Sequence, residues 1–300
     1  MVQHQKPKAA VWKPRWLKRN LPRGAAYGKV SSLLSEGRLH TVCQEAGCPN
    51  RWECFSRRTA AFMIMGSRCT RDCGFCAVNH GPSAPLDYGE PARVAEASQN
   101  MGLRYVVVTS VTRDDLPDGG AVFFAKTIKE IHKRIPHASV EALIPDFQGN
   151  EGALHIVLEA KPSILNHNLE TVERIYPSVR PGAAYRRSLE LLKRVREYDS
   201  AIPAKSGLML GLGEFPGEIR ETLHDLLNAG CDILTLGQYL QPTRDHLPVE
   251  RFVHPEEFDD WRKTALEMGF CAVASGPLVR SSYHAEELYQ LQKSAFKTRS

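Results

Sequence analysis

Residues 69–76 read CTRDCGFC. Three soft thiolates, Cys69, Cys73 and Cys76, share one short loop with three and then two residues between them. Such a loop curls round three corners of a metal–sulfur cube, and Gly74 within it permits close backbone approach. A second set, Cys43, Cys48 and Cys54, lies upstream, so six of the eight cysteines fall between residues 43 and 76. Each set is one ligand short of the four that a closed zinc site or a fully protein-held iron–sulfur cube wants. An incomplete shell is where substrate or cofactor enters.

Two plainer uses of the thiols compete. A disulfide framework belongs to small secreted chains, whereas this sequence has 300 residues and shows no basic, apolar and small-residue pattern of a signal peptide. A binuclear zinc module is the stronger rival, since four of these cysteines with His40 or His80 could close a tetrahedron. Zinc pairs usually read C-x2-C, however, and neither triplet offers two such pairs.

The pattern C-x3-C-x-F-C resembles the radical S-adenosylmethionine (SAM) enzymes. That resemblance implies a 4Fe-4S cluster on Cys69, Cys73 and Cys76, a fourth iron chelated by the amino and carboxylate groups of SAM, and Phe75 near the adenine. Electron transfer into the sulfonium would then release a 5'-deoxyadenosyl radical. Residues 39–55, LHTVCQEAGCPNRWECF, and 276–283, GPLVRSSY, are similar to the lipoyl synthase family within that superfamily. This likeness implies a second, auxiliary 4Fe-4S cluster on Cys43, Cys48 and Cys54 with Ser282 as its fourth ligand, or Ser281 if the register is off by one. Without the likeness these serines read as turn formers. An alkoxide is a hard ligand on a soft cluster and should form the weakest of the four bonds.

The implied reaction inserts two sulfur atoms, at C6 and C8, into an octanoyl chain amide-linked to a lysine of a lipoyl domain or of the glycine-cleavage H protein. An unactivated C–H bond offers no acidic proton, so a cofactor-derived radical must do the hard step. The auxiliary cube would then be a consumed sulfur donor. A reduced flavodoxin or ferredoxin is the expected electron source, and a reducing bacterial cytoplasm the expected setting. A methylthiotransferase acting on RNA or protein is the rival within the superfamily; its carboxy-terminal module would usually be basic, whereas 17 residues follow Tyr283.

At 42% hydrophobic and 24% charged residues the composition is that of a globular enzyme. No apolar run approaches the ~18 residues a membrane span needs. Residues 1–30 hold eight Lys/Arg and no Asp or Glu, which leaves 31 basic against 34 acidic residues in the remainder. This basic arm, with Trp12, Pro14, Trp16 and Pro22, reads as a solvated extension, or one that docks an acidic protein partner. Transit-peptide and nucleic-acid readings fit less well: there is no serine before Ser31, and nothing else in the chain resembles a nucleic-acid module.

From residue 60 onward apolar runs bounded by turn residues predict strands at Ala61 to Met65, Arg104 to Thr109, Ser139 to Ile144, Ser163 to Asn166, Gly207 to Leu210, Asp232 to Leu236 and Phe270 to Ala274. Amphipathic helices between them carry Phe124, Ile128, Ile131 and Ile135; Ile219, Leu223, Leu226 and Leu227; and Phe258, Trp261, Ala265 and Met268. Repeated right-handed βα crossovers predict an α/β fold, a partial or closed TIM-like barrel of about six to seven parallel strands, of radical SAM type, with N- and C-terminal extensions. Three parts are expected: 1–58, a basic arm with the auxiliary-cluster segment; 59–275, the barrel; and 276–300, the segment supplying the serine.

Chemistry in such sheets sits where strands end. The first strand leads into CTRDCGFC, Thr109 and Ser110 end the second, Glu141 lies in the third, and Asn166, His167 and Asn168 end the fourth. GLMLGLGE, residues 207–214, resembles the GxIxGxxE motif of the same superfamily. Thr109, Ser110, Glu141, Asn166, Gly211 and Glu214, with Phe75, are therefore the candidate SAM contacts. Where many radical SAM proteins carry Gly-Gly-Glu, this chain reads Thr109-Ser110-Val111-Thr112. Arg113, Asp114 and Asp115 beyond it hold SAM or substrate, or form a salt-bridged turn. Cys231 and Cys271 read as small core hydrophobes. His40 reads as a core or helix-terminus histidine, or as one that hydrogen-bonds a cluster sulfur.

Overall fold

A computed structural model describes residues 13–18, 25–57 and 59–299. Within these residues one sheet has strands β1 (His40–Thr41), β2 (Ala61–Ile64), β3 (Tyr105–Ser110), β4 (Ser139–Leu143), β5 (Ile164–Asn166), β6 (Ala204–Leu210), β7 (Cys231–Gln238) and β8 (Ala272–Gly276), in that spatial order. From β2 to β8 every neighbouring pair is parallel, giving the seven predicted strands. Parallel strands covered on both faces need continuous apolar runs, and all eight residues of β7 are accordingly buried.

Helices α1 (Ala25–Glu36), α2 (Val42–Glu45) and α3 (Arg51–Ser56) precede β2. The crossovers use α4 (Glu90–Asn100), α5 (Ala121–Arg134), α6 (Glu151–Glu159), α7 (Tyr176–Val179), α8 (Tyr185–Tyr198), α9 (Pro216–Asn228) and α10 (Pro255–Met268), and α11 (Ala285–Arg299) follows β8. Their starts are chemically marked. Asn150 accepts the Ala153 N–H of α6 at 3.1 Å, and α9 opens with Pro216 while the Glu218 carboxylate accepts the Phe215 N–H at 2.8 Å. Along α8 the buried Tyr185, Ser188, Leu189, Leu192 and Val195 repeat at helical spacing and face the sheet.

The sheet is open, which decides between the two forms the sequence allowed. Closure would require β8 to pair with β2, but β1 occupies that edge antiparallel, His40 opposite Met63 and Thr41 opposite Phe62. Side chains bridge the seam instead. β1 runs into α2 and α3, β8 runs into residues 277–284, and these meet where Asn50 Nδ2 donates to the Leu278 carbonyl at 2.6 Å and Tyr283 Oη donates to Glu53 at 3.1 Å. α11 then reaches β3, where Tyr289 lies 5.8 Å from Tyr105, ring to ring.

Of the basic arm, residues 13–18 rest on the body. Leu17 is buried and Trp16 meets His254 edge-on at 5.1 Å. Trp12, Pro22 and the rest of its predicted extent up to residue 24 lie outside the described residues. No described helix is long and apolar enough to cross a membrane.

Candidate active site

The cluster loop follows β2 and is tied down on both sides. Cys69 N donates to Asn79 O at 2.8 Å, Cys69 O accepts from Gly81 N at 3.0 Å, and Cys76 N donates to Cys73 O at 3.0 Å. The Thr112 N–H donates to Cys69 Sγ at 3.2 Å, so the stretch beyond β3, expected to touch SAM, also holds a sulfur of the loop. Arg71, between the first two cysteines, forks onto Asp114 at 2.6 and 2.9 Å and reaches Asp146 at 2.7 Å. Arg113 pairs with Asp115 at 2.8 Å, so these residues do form salt bridges, Asp114 to the cluster loop and Asp115 to its neighbour.

The first triplet is built by two short helices. Thr41 caps α2 by accepting the Gln44 N–H at 3.3 Å, and Gly47, at φ +58°, turns the chain so that Cys48 N returns to Cys43 O at 3.1 Å. Burial pushes the Cys43 thiol up to about 11 and Cys54 to about 12, and the neighbouring thiols of the triplet push the same way. Burial likewise raises Cys73 to about 11, opposed by the Arg180 cation, and Cys76 to about 12. Two groups of desolvated, mutually repelling sulfurs call for a cation to displace their protons.

All six are free thiols. Among the described residues no three His, Cys, Asp or Glu side chains converge on a single-ion site. A cube spreads its thiolates wider than one ion does, and the donors are soft. The histidines of the zinc alternative face carboxylates: His40 Nδ1 lies 3.0 Å from Glu45 and His80 Nδ1 lies 3.3 Å from Asp72. The donor set thus fits 4Fe-4S clusters.

Ser281 and Ser282, both half-buried, lie in the segment that docks on α3 between the Asn50–Leu278 and Glu53–Tyr283 contacts. Their neighbour Arg280 is desolvated and feels both Cys48 and Glu170. Glu170 in turn raises Cys73 and Cys76. Glu170 and Arg280 thus carry opposite charges in the region between the two triplets.

Sequence reasoning missed Glu170, Arg180 and Arg280. Glu170 is held at φ +71° by backbone bonds with β6, its N–H to Gly207 O at 2.9 Å and its O from Met209 N at 2.8 Å. A non-glycine residue kept in the left-handed region marks a site where position outweighs strain. Burial raises its carboxyl, against the pull of Arg180, Asn168 and Arg280. Arg180 donates to the Asn168 carbonyl at 2.7 Å and to Tyr176 Oη at 2.8 Å. Arg280 stands inside the quoted GPLVRSSY, where only the serines drew notice.

Phe75 joins Val179, Leu212, Tyr239, Leu247 and Val249 in a small apolar cluster beside the loop. Glu214 closes its own turn, accepting Gly211 N at 2.7 Å and Leu212 N at 2.9 Å. Gly211 is at φ +101°, and a Cβ there would strike Gln238 and the Arg251 carbonyl. Thr109 Oγ1 is spent on Leu143 O at 3.0 Å. Glu141 departs from expectation: its carboxylate takes Lys205 Nζ at 2.9 and 3.0 Å, Tyr105 Oη at 2.6 Å and Asn166 Nδ2 at 2.7 Å, deep in the barrel. Those partners exhaust it, so it is unavailable to a cofactor. Ser110 Oγ, Asn166 Oδ1 and Asn168 Oδ1 are buried without a partner.

Cys231 starts β7 fully buried, as expected, its thiol raised chiefly by burial; Cys271 precedes β8 and is half-buried. His40 spends Nδ1 on Glu45.

Residues 63–226 match the radical SAM superfamily, and residues 2–48 match the N-terminal domain of lipoyl synthase. The chain is 56% identical to lipoyl synthase of Desulfotalea psychrophila over 98% of its own length and 99% of that protein's. It is 55% identical to lipoyl synthase of Caldanaerobacter subterraneus, with 92% and 96% covered. The fold is similar to that of the hydrogenase maturase HydG, with TM-score 0.56 at 13% identity over 89% of this chain and 67% of that one. SuiB of Streptococcus suis bound to S-adenosylmethionine gives TM-score 0.55 at 11% identity, with 73% and 50% covered. Two cysteine triplets, a serine-bearing segment docked beside α3 and near-full-length likeness all converge, and the chain belongs to the lipoyl synthase family of the radical SAM superfamily.

Proposed function

We propose that the chain performs its family's reaction with Cys69, Cys73 and Cys76 holding the SAM-chelating 4Fe-4S cluster and Cys43, Cys48, Cys54 and Ser282 holding the auxiliary one. When bound, these groups supply a radical able to take hydrogen from an unactivated C–H bond and the sulfur that replaces it. The protein's own work is placement. Thr112 supports Cys69 through its N–H, and the Arg71 fork holds the loop between Cys69 and Cys73. Phe75 and the apolar cluster round it exclude water from one side.

The unspent oxygens of Ser110, Asn166 and Asn168, with the Glu170 carboxylate, are polar groups available to orient SAM. Thr109, Gly211 and Glu214 shape the walls, and Glu141 belongs to the barrel's internal support. The three-part organisation 1–58, 59–275 and 276–300 fits these roles, the outer parts meeting at the seam of the middle one.

The protein substrate is an octanoylated lipoyl domain. We extend this to the glycine-cleavage H protein, with a reduced flavodoxin or ferredoxin as electron donor and a reducing bacterial cytoplasm as setting, where thiolate-bound cubes survive. The observation that supports the reading is the docking of the serine-bearing segment 278–284 against Asn50 and Glu53, on the stretch that also carries Cys48 and Cys54.

Anaerobic reconstitution tests it. About eight iron per chain are expected for two cubes, and colourless protein with stoichiometric zinc would overturn the assignment. Changing Cys69, Cys73 or Cys76 to alanine should abolish SAM cleavage, whereas changing Cys43, Cys48 or Cys54 should leave cleavage without lipoyl product.

A further inference from the structure

The connection between β7 and α10 leaves the far side of the sheet and returns over the cluster loop. Within it, Leu247 N donates to Gly74 O at 2.9 Å, and a Cβ on Gly74 would lie 3.0 Å from Leu247 Cδ1 and 3.2 Å from Ser178 O. Gly74 N donates the other way, to Val179 O at 3.1 Å. The middle of CTRDCGFC is thus gripped between the end of α7 and this strap.

His246 grips the loop's end. Its Nε2 lies 3.0 Å from the Cys76 carbonyl, which only accepts, so Nε2 carries the hydrogen. In the neutral ring Nδ1 is then an acceptor, and Thr243 Oγ1 at 2.9 Å supplies its proton. The strap itself is braced, with Tyr239 Oη donating to Leu247 O at 2.7 Å and Gln241 Nε2 to His246 O at 2.8 Å. Thr243, within the same connection, therefore orients the ring that ends on the Cys76 carbonyl, while Tyr239 and Gln241 hold the backbone on either side of it.

We propose that residues 239–247 are a positioning strap for the SAM-cluster loop, in which His246 sets the backbone of Cys76 and Leu247 closes on Gly74. The inference rests on the assignment of Cys76 as a cluster ligand only for its catalytic meaning. The clamp itself is a property of the polypeptide. Loosening it frees the third thiolate to wander, and placement errors of about an ångström are costly in radical transfer between held partners.

Amide hydrogen exchange on the full-length chain, metal-free and reconstituted, decides it. His246→Leu should speed exchange of the peptide covering residues 70–77 about fivefold to tenfold in both forms, the worth of one hydrogen bond, and leave α8 unchanged. It should also speed loss of about half the iron to a chelator. His246→Gln, whose amide reaches the same carbonyl, should restore both. Wild-type exchange in His246→Leu, or no rescue by His246→Gln, would overturn the strap. Wild-type protein devoid of iron would sink the cluster assignment instead, while the metal-free exchange still reports on the clamp.

Discussion

Arg71 and Asp146 meet at 2.7 Å with side chains 6% and 0% exposed, one from the cluster loop and the other from the turn after β4. Arg187 closes on the other Asp146 oxygen at 2.9 Å and Asp114 completes the set, so two cations face two anions. Burial alone would raise the Asp146 carboxyl, but the Arg71 guanidinium overrides this and holds it well below the usual carboxylate range.

Without Arg71 the buried Asp146 keeps only Arg187 and Asp114 loses its fork, so Arg71→Ala should destabilise the chain by about 1.5–3 kcal/mol, the worth of hydrogen bonds to charged groups. Arg71→Lys, which lacks the fork that spans Asp114 and Asp146, should recover only part of this. Urea unfolding of the metal-free protein measures both, and a loss under about 1 kcal/mol for Arg71→Ala would show the network idle.

Glu141 and Lys205 are each fully sealed from water. Lys205→Met should cost about 3–5 kcal/mol, and adding Glu141→Leu should return a good part of it, short of full recovery because Tyr105 Oη and Asn166 Nδ2 then lose their acceptor. Denaturant midpoints of the two single variants and the double variant close the cycle.

His167 is neutral for a structural reason. Burial first, then the Arg180 charge, lowers it to about 4, although its bond to the Ile144 carbonyl at 2.8 Å pulls the other way. The unfolded chain takes up the proton near 6.5 and the folded chain near 4, so stability is full above 6.5 and falls as pH drops towards 4, by at most about 1.4 kcal/mol per pH unit. His167→Asn should flatten the difference between urea midpoints at pH 7.5 and pH 5.

Ser282→Ala should leave SAM cleavage intact and lower lipoyl formation at least tenfold, with Ser281→Ala much milder. The reverse order would move the ligand one residue towards Arg280. Product mass spectrometry on an octanoylated lipoyl domain, read alongside 5'-deoxyadenosine, separates the two outcomes.

The seven parallel strands were legible because buried strands write continuous apolar runs between Gly-, Pro- and Asp-rich turns. β1 was not, since His40 and Thr41 are too few to show alternation, and with β1 went the knowledge that the sheet stays open. The cysteines announced themselves by spacing. Glu170, Arg180 and His246 did not, because a polar residue in a connection looks the same whether it faces solvent or the cluster loop. Glu141 misled for the complementary reason: its place within a strand was plain, but the lysine opposite it arrives 64 residues later.

The two margins of the sheet are joined by a carboxamide, a phenol and a few charged contacts, with no rung of the backbone ladder between them among the described residues. Lifting residues 278–284 away from α3 therefore unbuttons side chains while every strand keeps its neighbour. A catalyst that spends a component in each cycle can be refitted through such a flap, its frame standing throughout.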